Sequence, residues 1–107
     1  MNLPLVITNL VKAQDSFDAQ AYANCFSNRG VVYDEGKTHK GRTAIEQWFS
    51  EATMKYNLIM KPIHFEDNGA TGVLKTEVSG AFPGSPAVFT YNLEFEGELI
   101  QSLKITL

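Results

Sequence analysis

The sequence predicts an α+β domain in which helices cover one face of an antiparallel sheet. Three observations carry this expectation. Apolar residues in the first half recur near a 3.6-residue period, and in the second half near a period of 2. An Asn68-Gly69 pair stands between two strand-like runs, the strongest short-range hairpin signal. With 107 residues, the chain suffices for one domain and is too short for two.

Leu3, Val6, Ile7, Leu10 and Val11 fall at the spacing of an amphipathic helix, with Pro4 suited to its first turn. A second short helix is expected after a cap at Asp15 or Ser16, with Phe17, Ala21, Cys25 and Phe26 on one side. Ser27-Asn28-Arg29-Gly30 reads as the cluster that ends it. Val31-Val32-Tyr33 then forms a short strand that delivers Asp34-Glu35-Gly36 at its end. Thr43 and Glu46 fit a capping box for a third helix, whose apolar face carries Ile45, Trp48, Phe49, Ala52 and Tyr56.

Beyond Tyr56, Asn68-Gly69 separates strands over 58–67 and 70–79, and residues 79–86 form a turn-rich connection. Ala87, Phe89, Tyr91, Leu93 and Phe95 alternate with Val88, Thr90, Asn92, Glu94 and Glu96, as in a sheet covered on one side. A tight turn at Glu96-Gly97 follows, and Leu99, Leu103, Ile105 and Leu107 are expected to continue the buried face. The order is therefore α-α-β-α-β-β-β-β, and a curved sheet closed by helices leaves a concave space between the layers.

Composition narrows the function. Lys and Arg number 9 against 12 Asp and Glu, for a net charge of −3. Residues 57–107 hold the whole acidic excess, and no basic stripe suggests a nucleic-acid partner. No apolar run approaches the roughly 18 residues of a bilayer span. The N-terminal Met1-Asn2-Leu3-Pro4 has no basic segment of a secretory signal, so a cytoplasmic protein is expected. The single Cys25 has no partner for an internal disulfide, and no metal-binding spacing or cofactor fingerprint is present.

The segments Val32-Tyr33-Asp34-Glu35-Gly36, Thr38-His39-Lys40-Gly41-Arg42-Thr43-Ala44-Ile45, residues 78–86 and the terminal Ile100–Ile105 strand recur in combination in one known group. Together with the element order, they make the chain resemble the SnoaL-like branch of the nuclear-transport-factor-2-like, or ketosteroid isomerase-like, superfamily over essentially its whole length. The resemblance implies a cystatin-like cone, a curved sheet wrapped around a long helix with two further N-terminal helices. It also implies a homodimer through the outer sheet face, for which Val73, Lys75, Val88, Thr90, Asn92, Ile100, Ser102, Lys104 and Thr106 form the expected set. The superfamily spans isomerases, cyclases, dehydratases and members without known activity, so fold alone does not give the chemistry.

Asp34 is the first candidate for chemistry. If Val32 faces inward, strand alternation places Asp34 inward too. At the lip of an apolar pocket its carboxylate loses hydration and becomes a better base. The resemblance puts it at the general-base position of the ketosteroid isomerases. The alternative role is that of a residue that opens a turn. Their tyrosine donor falls near Leu10 here, which cannot donate, and their acid donor near Tyr91, which can. Tyr91 shares the apolar register, so it is either an oxyanion donor or a core tyrosine.

His39 is either a solvated loop residue or a proton carrier beside Asp34. His64 lies in a strand whose inward face the sequence leaves open. Trp48, Phe49 and Tyr56 are first of all core residues. With Phe82, Phe89 and Leu10 they would also line a pocket for a small hydrophobic molecule, the expected partner.

Overall fold

In the computed structural model, which describes residues 2–107, the first helix, α1 (Leu5–Asp15), buries Ile7, Leu10, Ala13 and Gln14. Pro4 stands one residue outside the helix rather than in its first turn, and its carbonyl accepts the N–H groups of Ile7 and Thr8. The second helix, α2 (Ala19–Asn24), is capped by Asp18, which accepts from the Ala21 N–H at 3.1 Å. Capping therefore falls at Asp18, not at Asp15 or Ser16. Phe17 takes a left-handed backbone conformation (φ 55°) between the helices and is 48% exposed, so it leaves the apolar face expected of it.

Strand β1 (Phe26–Asp34) begins five residues earlier than its β-branched run. Ser27-Asn28-Arg29-Gly30, expected to end a helix, lies within this strand because distant groups satisfy its polar atoms. Ser27 Oγ donates to Gln101 Oε1 (2.6 Å), Gln101 Nε2 to the Arg29 carbonyl (3.2 Å), and the Gly41 N–H to the Gly30 carbonyl (2.8 Å). These partners lie more than ten residues away along the chain, so local propensity could not register them. A two-residue turn at Glu35 (φ 52°) and Gly36 (φ 74°) leads into β2 (Lys37–Lys40), where the sequence suggested a loop. Two successive positive φ values suit a tight hairpin of right-handed twist.

Helix α3 (Arg42–Tyr56) starts from Gly41 at φ 86°. Thr43 is already inside the helix and makes no cap, so the expected capping box is absent. The helix ends at Asn57 in the left-handed conformation. Strands β3 (Ile59–Asp67), β4 (Thr71–Ser79), β5 (Ala87–Glu96) and β6 (Leu99–Thr106) complete a six-stranded sheet of order β2-β1-β6-β5-β4-β3. Its pairs are antiparallel except β1 with β6, which run parallel and bring the two halves of the chain together.

Two irregularities decide which side chains face in. A register shift between Pro62 and His64 changes the parity of β3, so Met60 and Phe65 both reach the core while His64 lies exposed opposite Lys75. A second, between Glu94 and Phe95, turns Ile100 inward, fully buried beside Leu103. Ile100 is therefore a core residue and not part of the outer face. Leu107, expected to be buried, is 86% exposed. The core gathers Ile7, Leu10, Tyr22, Phe26, Val32, Ile45, Leu74, Leu93, Ile100 and Leu103. Helix α3 packs against β1, β2 and α2, and α1 against α2 and β3, so the helices close over one face of the curved sheet. No helix among the described residues is long and apolar enough to cross a membrane.

Candidate functional site

Between α3 and the concave face of the sheet lies a half-open cavity of about 570 Å³. Asp34, His39, Trp48, Phe49, Tyr56, Phe82, Phe89 and Tyr91 all line it. Each gets there by a separate local cause. Val32 is fully buried, and strand alternation puts Asp34 on the same side, at the cavity's rim. His39 is the direct partner of Val32 across the β1–β2 hairpin, so it shares that side. Its ring lies 5.6 Å from that of Trp48, at 31°. The predicted loop histidine is thus held by a strand within the same site.

On α3, Phe49 and Thr53 are four residues apart and buried (2% and 5% exposed), while Trp48, Glu51, Ala52 and Lys55 run along the cavity's edge. Tyr22, from α2, stacks behind Phe49 at 4.2 Å and stiffens that wall. The connection between β4 and β5 carries Phe82, which meets Tyr56 edge-on at 6.4 Å and Phe89 edge-on at 6.3 Å. These rings make one side of the cavity aromatic. The Ala81 N–H donates to the Tyr56 carbonyl (2.7 Å) and the Gly80 N–H to Ser85 Oγ (2.9 Å), which ties the connection to the end of α3. Leu10 alone of the expected lining residues does not reach the cavity. It is fully buried in the core between α1 and the sheet.

Burial raises the Asp34 carboxyl above its ordinary value, and the neighbouring Glu35 adds to the shift. The Trp48 side chain, the His39 ring and the Glu35 backbone N–H pull the other way. Tyr91, 6% exposed, is pushed up by burial first and by the field of Asp34 second, so its phenol stays protonated at neutral pH. Acid and phenol line the same cavity from strands β1 and β5, on either side of β6.

Gln14, Thr53, Leu58 and Val78 also line the cavity, and nothing in the sequence pattern singled them out. Thr53 interrupts an apolar helix face and Gln14 sits among the buried positions of α1, so the signal was a polar residue at a core phase. A second, larger groove of about 780 Å³ lies between the two N-terminal helices and the hairpin turns. Its charged groups, Lys12, Asp18, Asp67 and Glu98, are exposed, and its buried Cys25 thiol is pushed up to about 11. A hydrated rim and an inert thiol give it no comparable chemistry. Among the described residues no group of three or more His, Cys, Asp or Glu could hold a metal ion.

Comparison with solved structures gives the lineage. The chain superposes on a candidate polyketide cyclase from Sinorhizobium meliloti with a TM-score of 0.93 and 31% identity, over 97% of this chain and 95% of that one. The chain belongs to the SnoaL-like, nuclear-transport-factor-2-like superfamily. Two more distant solved structures share the fold. A protein of ketosteroid isomerase-like fold from Catenulispora acidiphila, solved with trimethylamine, matches at TM-score 0.89 and 20% identity over 99% of this chain and 87% of its own. A cystatin-fold protein from Novosphingobium aromaticivorans matches at 0.82 and 14%, over 100% and 99%. No sequence-family profile matches the chain, and no curated protein matches it by sequence.

Proposed function

We propose that this SnoaL-like domain binds a small, largely apolar carbonyl compound and that Asp34 moves a proton on it. The observation that carries the reading is a half-buried carboxylate, its affinity for protons raised, that shares an aromatic cavity with a protonated phenol. The Asp34 carboxylate takes a proton from the carbon next to the carbonyl. The C–H electron pair moves into the carbonyl and the oxygen becomes an enolate oxyanion. The Tyr91 hydroxyl donates a hydrogen bond to that oxygen, where preorganised donors act most strongly. Return of the proton from Asp34 to another carbon gives isomerisation, its delivery to a departing β-hydroxyl that leaves as water gives dehydration, and attack of the enolate carbon on a second carbonyl, whose oxygen takes the proton, gives cyclisation. His39, beside Trp48 at the rim, is the second proton carrier.

The likeness to a candidate polyketide cyclase at 31% identity supports carbonyl chemistry of this kind. 1-Tetralone in D₂O tests it, because exchange of its α-protons needs only the first step. Catalysed exchange that Asp34→Asn removes by about 100-fold or more, the usual range for a positioned acid–base group, is the expected result. Binding without any exchange instead makes the domain a carrier that holds its ligand unchanged. The outer sheet face, with Val73 and Thr90 half-buried and Val88 49% exposed, supports pairing of two copies back to back.

A further inference from the structure

Asp34 ends β1, and the torsion that turns a carboxylate about its stem is soft, so the group needs outside contacts to hold one orientation. Donors from two elements meet it. One is the backbone N–H of Glu35, in the turn that follows. The other is the side chain of Trp48 on α3, which lines the same cavity and whose only polar group is the indole N–H. The indole is itself held. The His39 ring of β2 lies 5.6 Å from it at 31°, and the Tyr22 ring of α2 lies 6.1 Å from it at 54°. His39 pairs with Val32, two residues before Asp34 on the same side of the strand, so the ring stacked on Trp48 is a diagonal neighbour of the carboxylate.

Resting on the proposed function, we infer that Trp48 is a positioning residue, whose indole N–H holds the Asp34 carboxylate in the orientation from which it takes the substrate's proton. A carboxylate accepts about four hydrogen bonds, so two donors leave room for the substrate's carbon–hydrogen bond. The contact lowers the proton affinity that burial raises, and burial remains the larger effect. What the site gains is alignment, which a proton transfer needs before basicity counts. The charged and titratable groups around Asp34 are Glu35, its hairpin partner Lys37, His39, Glu51 and Lys55 along α3, Tyr91 of β5 and Tyr22 of α2. None of them changes when only the indole nitrogen is replaced.

Trp48 is the chain's single tryptophan, so analogues can be placed there alone. 3-Benzothienylalanine keeps the bicyclic shape with sulfur in place of the N–H, while 5-fluorotryptophan keeps the N–H. In the benzothienyl protein the ¹³C-detected midpoint of Asp34 should rise by about 0.5 pH or more, the size of one hydrogen bond to a carboxylate. Exchange of the 1-tetralone α-protons, read above both midpoints at saturating ketone, should slow about tenfold with KM little changed. The fluorinated protein should match the wild type in both. A midpoint that does not rise, or a saturating rate that holds while the midpoint rises, overturns the inference. If the wild type itself exchanges no α-protons, the proposed function falls, and the midpoint comparison then decides by itself whether Trp48 holds the carboxylate.

Discussion

Asp34 shows how one side chain can hold two roles that look exclusive in sequence. It ends β1 beside the Glu35-Gly36 turn, as a turn-opening aspartate would, and it also lines the cavity. Its raised proton affinity has a consequence for stability. The folded form holds the proton more tightly than the unfolded chain does, so ionisation opposes folding. The contribution is favourable to the protonated fold and is lost as pH rises from the ordinary carboxyl value of 3.8 through the raised one. Urea titrations of wild type and Asp34→Asn should therefore diverge in that window, the wild type losing stability relative to the variant as pH rises, and run parallel above it. The same shift predicts that α-proton exchange falls on the acid side at a pH above the ordinary carboxyl range.

At the scale of elements, the β4–β5 connection sets the cavity's aromatic side. Gly80 is pressed against α3, and a Cβ there would meet the Tyr56 carbonyl at 2.5 Å. Gly80→Ala should cost about 1–3 kcal/mol in denaturant unfolding, the usual range for a forced backbone shift. It should also weaken 1-tetralone binding, because Phe82 travels with the loop. The end of α3 makes a second test. Asn57 at φ 52° tolerates the left-handed conformation that Ala does not, so Asn57→Ala should lower stability by about 1 kcal/mol.

These same elements mark the limits of sequence reading. Periodicity sufficed for α3, for the Asn68-Gly69 hairpin and for the inward register of β5, because each depends on near neighbours. The strand character of residues 27–30 depends on Gln101 and Gly41, and the inward turn of Ile100 on a register shift against β5. The first is a pairing over a long stretch of chain, and the second an irregularity inside a hairpin, which strict alternation does not register. The lining set was legible for the same reason: Asp34, Trp48, Phe89 and Tyr91 follow from alternation and helical spacing. Thr53 and Gln14 were not, since a polar residue at a core phase gains meaning only when the space beside it is seen.

For the whole molecule, the parallel β1–β6 pair ties the chain's two halves, and its residues should be among the costliest to truncate. Leu103→Ala, at a fully buried position opposite Val32, should lose about 2–5 kcal/mol in thermal or urea unfolding. The outer face of the sheet should behave differently. If two copies meet there, Val88→Glu will shift sedimentation toward monomer with little change in the fold, because the side chain is 49% exposed within one chain.

The proposed chemistry needs a hollow whose rim carboxylate is drier than water would leave it. A ¹³C-detected titration of the Asp34 carboxyl, with and without 1-tetralone, measures this directly. A midpoint above 3.8 in the free protein, moved higher when the ketone displaces water from the cavity, is the predicted result. A midpoint at or below the ordinary value that the ketone leaves untouched would contradict it.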